Sequence, residues 1–487
     1  MESPLLYEDI AAQVTRLIEG GTFGPGDRVS SVRELARQMK VSVSTVLQAY
    51  RLLENRGLIE ARPQSGYYVR ARPGRRAPEM GKSKPDPAPT APSLGRLMVK
   101  LVRDGRQPGM VQLGAALPAP DLVPTEKLNR ALSAMARWHK ALSNAYDLPP
   151  GCEALRVQVA QRALEAGCPL TPEEIVTTCG AQEAIMLAMR ATCRPGDIIA
   201  VESPCFYGTL QTIESLGLKV LEIPSDPCTG LCLESLRELL EQNDIRAVLT
   251  VSNYNNPTGS CMPEGEKRAL VELLAGRDIP LIEDDIYGDL SYGARRPGVC
   301  KAYDTKGLVL LCSSFSKTLA PGYRVGWIAP GRYQEDVQAL KVITNIATPT
   351  LPQLAVADFL ANGGYDHHLR RTRRIYQERS ELMAEAVLEH FPPGTKVTHP
   401  QGGFVLWVEL DESADTLELY DRAWAEKMDF VPGVAFSATA RYGNFLRLCY
   451  SQWNDRIAQA VKRLGQLAGE GLEERTTYSA AGAGVGR

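Results

Sequence analysis

The chain has 487 residues, 44% of them hydrophobic and 23% charged, with a formal net charge of −2. At roughly 150 residues per domain this length suggests about three units, and the balance excludes a wholly disordered chain, a collagen and a disulfide miniprotein. No apolar run reaches the roughly 18 residues of a membrane span, and the start Met-Glu-Ser-Pro lacks a basic-then-apolar leader, so a cytoplasmic protein without a membrane partner is expected. Eleven cysteines are scattered without a Cys-x-x-Cys, the pattern of reduced thiols. The adjacent His367 and His368 point different ways on a helix, and no metal site is expected.

The first predicted helix carries Leu6, Ile10, Val14, Leu17 and Ile18 at helical spacing and stops at Gly20-Gly21. After the turn Pro25-Gly26-Asp27, Ser31 and Glu34 have capping-box spacing and open a second helix with Val32, Leu35, Ala36 and Met39. Val41-Ser42 caps a third helix with Val46, Ala49, Tyr50 and Leu53 on its apolar side. Two β-like runs, 58–62 and 67–70, form a wing across Pro63-Gln-Ser-Gly66. Two short helices joined by a tight turn have helix-turn-helix geometry, with the third helix as groove reader. Spacing alone fits a dimerisation module equally well. The residues favour DNA: Arg28, Arg33, Arg37, Lys40, Arg51 and Arg62 suit phosphate, while Ser42, Ser44, Thr45 and Gln48 stand where base edges would be read.

This block resembles the GntR-type winged helix-turn-helix. The likeness runs through Pro-Gly-Asp, Ser-Val-Arg-Glu-Leu-Ala, Val-Ser-x-Ser-Thr-Val, Gly-Leu-Ile-Glu and Ser-Gly-Tyr-Tyr-Val. Two positions depart from the pattern. Val29-Ser30-Ser31 replaces a common Leu-Pro-Ser, and Val43 stands where many members carry arginine. The resemblance implies binding of double-stranded DNA by residues 1–71, with no operator sequence carried over.

From 72 to 95 the chain is rich in proline and nearly devoid of apolar residues, the composition of a stiff extended linker. This break divides the charge. Residues 1–92 hold 14 Lys/Arg and 10 Asp/Glu, a balance of +4; the remainder holds 41 and 47, a balance of −6.

Beyond the linker, strand-like runs at 174–178, 197–201, 219–223, 247–251, 280–283, 308–312 and 323–329 alternate with helical segments. Such alternation predicts a layered α/β domain with a largely parallel sheet, and chemistry at its strand ends. Gly180-Ala181-Gln182 opens a helix at 181–191, where backbone amides could bind phosphate; alone it is an ordinary helix start. Asp284-Asp285-Ile-Tyr287 ends a buried strand, either leaving for solvent or holding a carboxylate against a cationic ring nitrogen. Ser314-Phe-Ser316-Lys317, with Arg324 seven residues on, is the strongest signal. A lysine flanked by hydroxyls directly after a buried strand suits a Schiff base, and its neighbours suit a phosphate. Asn253-Tyr-Asn-Asn256-Pro257 is by itself a turn, and Phe206 by itself a core residue.

Together these elements resemble the fold-type I, pyridoxal-phosphate-dependent aminotransferases, with a small α+β C-terminal lobe. The resemblance implies that Lys317 bears the cofactor, Asp284 pairs with the ring nitrogen, Tyr287 and Asn256 meet the ring oxygen, and Phe206 stacks on the ring. It further implies that Gly180, Ala181, Gln182, Ser314, Ser316 and Arg324 hold the phosphate and Tyr146 reaches the phosphate of a neighbouring subunit. Arg447, with Asn256, would grip the substrate carboxylate. Phe206 replaces a commoner tyrosine, which keeps the stacking. The domain is expected at 96–470, with a large lobe at about 145–340, a small lobe at about 341–470, and a disordered tail at 471–487.

A GntR-type reader followed by such a domain resembles the MocR regulators. The resemblance implies a head-to-tail homodimer that senses pyridoxal phosphate, or an amino acid or related amine, through external aldimine formation and alters DNA binding. The alternative is a working aminotransferase with an accessory DNA-binding domain, because the full catalytic set is present.

Overall fold

Ile10 and Val14 lie on one face of the first helix, and in the computed structural model of the chain both are buried in α1 (Leu6–Glu19). The structure describes residues 6–19, 22–23, 27–55, 58–62, 65–69, 79–93, 95–105, 107–293 and 295–483. It divides into two units, Met1–Arg76 and Ala77–Arg487. In the first unit, α2 (Val32–Met39) is capped by Ser31, whose Oγ accepts the Glu34 N–H at 3.3 Å. The third helix, α3 (Val43–Asn55), buries Val46, Ala49, Tyr50 and Leu53 completely. Tyr50 donates its hydroxyl to the Ser30 carbonyl at 2.6 Å, tying α3 to the approach of α2. The wing pairs β1 (Ile59–Arg62) antiparallel with β2 (Gly66–Val69).

The Pro-rich segment differs from a free linker over residues 79–93, which lie along the second unit. Thr90 exchanges two backbone hydrogen bonds with Val220 at 2.8 Å, Ser83 N–H donates to the Ser225 carbonyl at 2.9 Å, and the Arg441 guanidinium donates to the Lys84 carbonyl at 2.5 Å. Proline removes donors but leaves these backbone groups able to pair.

The second unit begins with α4 (Gly95–Asp104), β3 (Val111–Gln112), α5 (Thr125–Trp138) and α6 (Glu153–Ala163). The large lobe then alternates β4 (Val176–Thr178), α7 (Ala181–Thr192), β5 (Ile198–Ser203), α8 (Tyr207–Ser215), β6 (Lys219–Asp226), β7 (Gly230–Leu231), α9 (Leu233–Gln242), β8 (Ile245–Thr250), α10 (Glu264–Gly276), β9 (Leu281–Asp284), β10 (Val309–Ser314) and β11 (Gly326–Ala329). These strands form one eight-stranded sheet in the order β4-β11-β10-β9-β8-β5-β6-β7. The central β10-β9-β8-β5-β6 neighbours are all parallel, while β11 and β7 run antiparallel to their partners. Two expected strands are shorter than their apolar runs. Thr171 and Glu174 form a capping box on a 3₁₀ turn ahead of β4. Arg324, at φ 54°, takes a left-handed conformation that postpones β11 to Gly326.

Next come α11 (Gln334–Asn345), α12 (Thr350–Ala361) and the long α13 (Gly364–His390). A four-stranded antiparallel sheet follows, built from β12 (Lys396–Val397) and β13 (Val405–Glu409) with two later strands. After α14 (Thr416–Ala425) and β14 (Met428–Asp429), those are β15 (Val431–Pro432) and β16 (Phe445–Cys449), giving the order β12-β13-β16-β15. The early β3 pairs in parallel with β14, so this lobe also draws on chain from before the large sheet. The last helix, α15 (Asp455–Ala483), corrects the expected tail. Its buried Val461, Leu464 and Leu467 anchor its first half, and the helix runs on through 471–483. Residues 484–487 of that tail lie outside the described ones. Among the described residues no helix is long and apolar enough to cross a membrane, no group of His, Cys, Asp or Glu could hold a metal, and all eleven cysteines are free.

Candidate functional site

The C-terminal ends of β4, β5, β8, β9 and β10 converge on a cavity of about 160 Å³. Ala181, Gln182, Phe206, Asn256, Asp284, Tyr287, Ser314, Ser316, Lys317 and Arg324 line it, gathered from positions up to 143 apart in the chain.

One wall is built for an anion. Gly180 caps α7 at φ 86°, which opens the first backbone amides of the helix. The Arg324 guanidinium lies against the Gly180 α-carbon so closely that a Cβ there would collide with it. Arg324 is fixed by hydrogen bonds to the Cys179 carbonyl at 2.7 Å and to Ser316 Oγ at 3.3 Å. Ser314 Oγ accepts the Ser316 N–H at 3.2 Å. The Gln182 side chain turns away to the Gly208 carbonyl and Thr212 Oγ1, so its contribution to this wall is its backbone.

The adjacent carboxylates at the end of β9 separate by strand alternation. Asp285 is taken up by the Arg296 guanidinium and by Asn253 Nδ2 at 2.8 Å. Asp284 faces the cavity, buried, with Oδ1 lacking a hydrogen-bond partner. Burial, aided by the charge of Asp285, pushes its carboxyl up to about 7. Tyr287 is equally buried, its hydroxyl without a partner and its acidity weakened by burial.

Lys317 donates to the Ala116 carbonyl at 2.6 Å. Burial and the nearby Arg447 guanidinium lower its ammonium to about 8, within reach of a nucleophilic amine. Arg447 sits mid-strand in β16, fully buried, with Nη1 donating to Asn256 Oδ1 at 3.0 Å, Nη2 donating to the Gly114 carbonyl, and Nε without a partner. The rings of Phe436 and Tyr207 lie 5.3 and 5.9 Å from its guanidinium carbon.

Tyr207 and the carbonyls of Gly114 and Ala116 were not expected here. A backbone carbonyl has no side-chain signature; the signal available was the small-residue run Gly114-Ala-Ala116, since a Cβ at Gly114 would fall 2.8 Å from the Phe430 backbone. Tyr146 is not brought to this cavity and is 76% exposed.

In the first unit, Ser42 Oγ accepts the Thr45 N–H at 3.1 Å and lies 2.7 Å from both Ser44 Oγ and Thr45 Oγ1. Gln48 and Arg51 are exposed along α3, and Arg33 is exposed on α2. Arg28 is bridged to the wing strand at Tyr68, with its guanidinium against Gly66. Arg62 belongs to β1, but its side chain lies outside the described ones.

Residues 122–464 match the aminotransferase class I and II family. The chain belongs to that family. Residues 6–69 match the gntR family of bacterial regulatory proteins, which gives the whole chain the MocR arrangement of reader and aminotransferase-type domain. An uncharacterized HTH-type transcriptional regulator of Escherichia coli, YdcR, is 38% identical over 96% of this chain and 99% of its own length. Aromatic-amino-acid aminotransferase 1 of Thermococcus litoralis is 31% identical over 78% of this chain and 92% of its own. The α-aminoadipate aminotransferase LysN of Thermus thermophilus, solved with N-(5′-phosphopyridoxyl)-L-leucine, superposes with a TM-score of 0.71 at 29% identity, over 77% of this chain and 95% of that one.

The cofactor of this class I and II domain is pyridoxal 5′-phosphate, and the residues fit it. Two buried polar atoms without partners, Asp284 Oδ1 and Tyr287 Oη, belong to the lining of a cavity with an anion-binding wall, and a third, Arg447 Nε, belongs to a guanidinium bonded to Asn256 of that lining. Such atoms are costly to leave unpaired, and a ring nitrogen, a ring oxygen and a carboxylate would satisfy them.

Proposed function

We propose that the chain is a pyridoxal-phosphate-dependent transcription regulator, in which the gntR-type unit binds double-stranded DNA and the aminotransferase-type unit takes up an amino acid and alters that binding. The observation that carries the reading is the coexistence of a helix-turn-helix unit with exposed Arg28, Arg33, Arg37, Lys40 and Arg51 and a buried lysine, aspartate and arginine set in one chain. The kinship with HTH-type regulators over 96% of the chain supports it. A cytoplasmic location goes with this role.

When bound, pyridoxal phosphate supplies a carbonyl that combines with primary amines and a ring that withdraws electrons. Lys317 holds it through Nζ, whose proton is loosened by burial. Asp284 would accept a hydrogen bond from the ring nitrogen and keep it protonated, and that cationic partner would offset the cost of burying the carboxylate. Tyr287 and Asn256 meet the ring oxygen, and Phe206 covers one face. Gly180, Ala181, Gln182, Ser314, Ser316 and Arg324 receive the phosphate. Arg447 exchanges the neutral Gly114 carbonyl for the carboxylate of the incoming amino acid, a stronger, bidentate partner. The exposed apolar side chains Trp138, Leu142, Leu148 and Ile343 support a homodimer, and the likeness to the MocR regulators and aminotransferases implies that it is head-to-tail, with Tyr146 serving the partner's phosphate site. In the reader, Arg28, Arg33, Arg51 and Arg62 meet phosphates, and Ser42, Ser44, Thr45 and Gln48 face the bases.

For the amino acid to control DNA binding it must favour one arrangement of the chain by a few kcal/mol. Footprinting of the upstream DNA, with and without a panel of amino acids, tests this. The wild-type chain is expected to protect DNA in an amino-acid-dependent way, and Lys317→Ala to lose the cofactor absorbance and the response but keep protection. A full response in Lys317→Ala, or no protection by the wild type, overturns the reading. The intact set Lys317, Asp284 and Arg447 also favours a second reading, a working aminotransferase. Rapid conversion to the pyridoxamine form without DNA protection would establish that one instead.

A further inference from the structure

We propose that Val43 and Leu47 form an apolar ridge on the reader helix that recognises the 5-methyl groups of thymine in the major groove. The proposal rests on the DNA-binding reading above and adds what sequence feature the reader selects.

Helix α3 has a complete inward face, with Val46, Ala49, Tyr50 and Leu53 all 0% exposed. Val43 and Leu47 stand outside it. Val43 is 45% exposed, Leu47 is half-buried, and neither joins the apolar cluster of the first unit among the described residues. Four residues apart, they are neighbours on the helix surface, with Ser44 and Gln48 beside them in the same register. A scattered surface valine needs no explanation. Two aliphatic side chains one turn apart at the start of a groove-reading helix do, because the N-terminal residues of such a helix reach the base edges.

The polar candidates nearby are partly spent. Ser42 Oγ caps the helix and lies at hydrogen-bond distance from both Ser44 Oγ and Thr45 Oγ1. The hydroxyls of the first turn therefore bond to one another as well as facing the groove, and Val43 and Leu47 supply the apolar contacts beside them and Gln48. Among the four bases only thymine presents an apolar group in the major groove. Arginine, frequent in the gntR pattern at the position of Val43, suits guanine O6 and N7; valine offers neither donor nor charge. Gln48 completes the reading, because a glutamine pairs with adenine N6 and N7. Exposed Arg28, Arg33, Arg37, Lys40 and Arg51 in the same unit match a polyanion rather than an apolar protein partner.

The test uses the full chain and duplexes selected by it from a random-sequence pool. Each thymine of a selected duplex is replaced singly by uracil, which removes the methyl group and nothing else. At one or two positions per half-site uracil should weaken binding by about threefold to tenfold, the scale of one buried methyl. Val43→Ala or Leu47→Ala should erase that difference at its own position while the uracil duplex binds as before. Val43→Arg should move the selected base there towards guanine. Equal binding of every thymine and uracil duplex overturns the proposal and leaves the regulator reading standing. Discrimination that survives in both alanine variants, or variants that change only the oligomeric state, overturns the assignment to these residues. Failure to select any duplex overturns the DNA-binding reading itself, and the ridge with it.

Discussion

Asp284 and Asp285 are chemically identical neighbours with opposite environments. One lines the cavity with an unpartnered oxygen, and the other, outside that lining, is locked to Arg296. The sequence placed a carboxylate pair at a strand end; alternation decides which one lines the cavity. Lys317 and Arg324 stood out because a lysine, two serines and an arginine crowd one motif after a buried strand, whereas Arg447 was reached only through the family resemblance. Tyr207 and the carbonyls of Gly114 and Ala116 were not legible, because their contribution is proximity in space. Lys317 gives a prediction of its own. Burial lowers its ammonium from an ordinary 10.5 to about 8, so the folded chain releases this proton at a pH where the unfolded chain retains it. The buried cation therefore costs stability below about 8, and that cost is relieved as pH rises from there towards 10.5. Capture of pyridoxal phosphate by cofactor-free protein should accelerate with pH and level off past about 8, followed by the growth of its absorbance. A midpoint near the ordinary lysine value would refute the buried setting.

At the scale of elements, the alternation of strands and helices and the placing of chemistry at strand ends followed from hydrophobic pattern. The pairing of β3 with β14 did not, since two-residue strands have no readable period and join chain segments more than 300 residues apart. Nor did the hub at Asp289. Its carboxylate meets Arg296 at 2.9 Å, Arg162 at 3.5 Å and the Tyr365 hydroxyl at 2.9 Å, while its carbonyl accepts from Arg373 at 2.7 Å. It thereby ties α6 and α13 to the chain just beyond Asp284. Burial raises its carboxyl, but Arg296 and Arg162 outweigh this and hold it below the usual range. The stability it confers is thus fully present above the ordinary aspartate value and disappears only as pH falls through the lowered one. Asp289→Ala leaves two buried guanidinium groups each short of a partner, and should cost about 3–5 kcal/mol. Denaturant unfolding of cofactor-free protein measures this; a loss below about 1 kcal/mol, the ordinary yield of an exposed pair, would mean the hub is screened by solvent.

Across the whole molecule, the net charge of −2 described neither half, and the proline-rich break that divided it proved to be more than a spacer. Residues 79–93 read as linker because they lack apolar periodicity. They adhere through the backbone, which composition does not report. Their partner, β6, is bonded to β7 only at Ser225 and Asp226, so the earlier part of the strand would otherwise present an open edge. The bridge at Thr90 and Val220 covers that edge, Ser83 Oγ accepts the Ser225 N–H at 2.7 Å, and Met80 packs on the main apolar core of the second unit. The Arg441 contact with the Lys84 carbonyl reaches the same segment from the small-lobe loop ahead of β16. A chain beginning at Glu79 should therefore be more stable than one beginning at Gly95. Five hydrogen bonds and the packing of Met80 are what the shorter chain loses, so the expected sign is a lower melting temperature for it. The shorter chain should also associate more readily, because an uncovered edge recruits strands from other molecules. Thermal melting and size-exclusion chromatography of the two chains, at matched cofactor occupancy, measure both effects. Identical melting temperatures and elution would mean that the arm rests on the sheet without holding it.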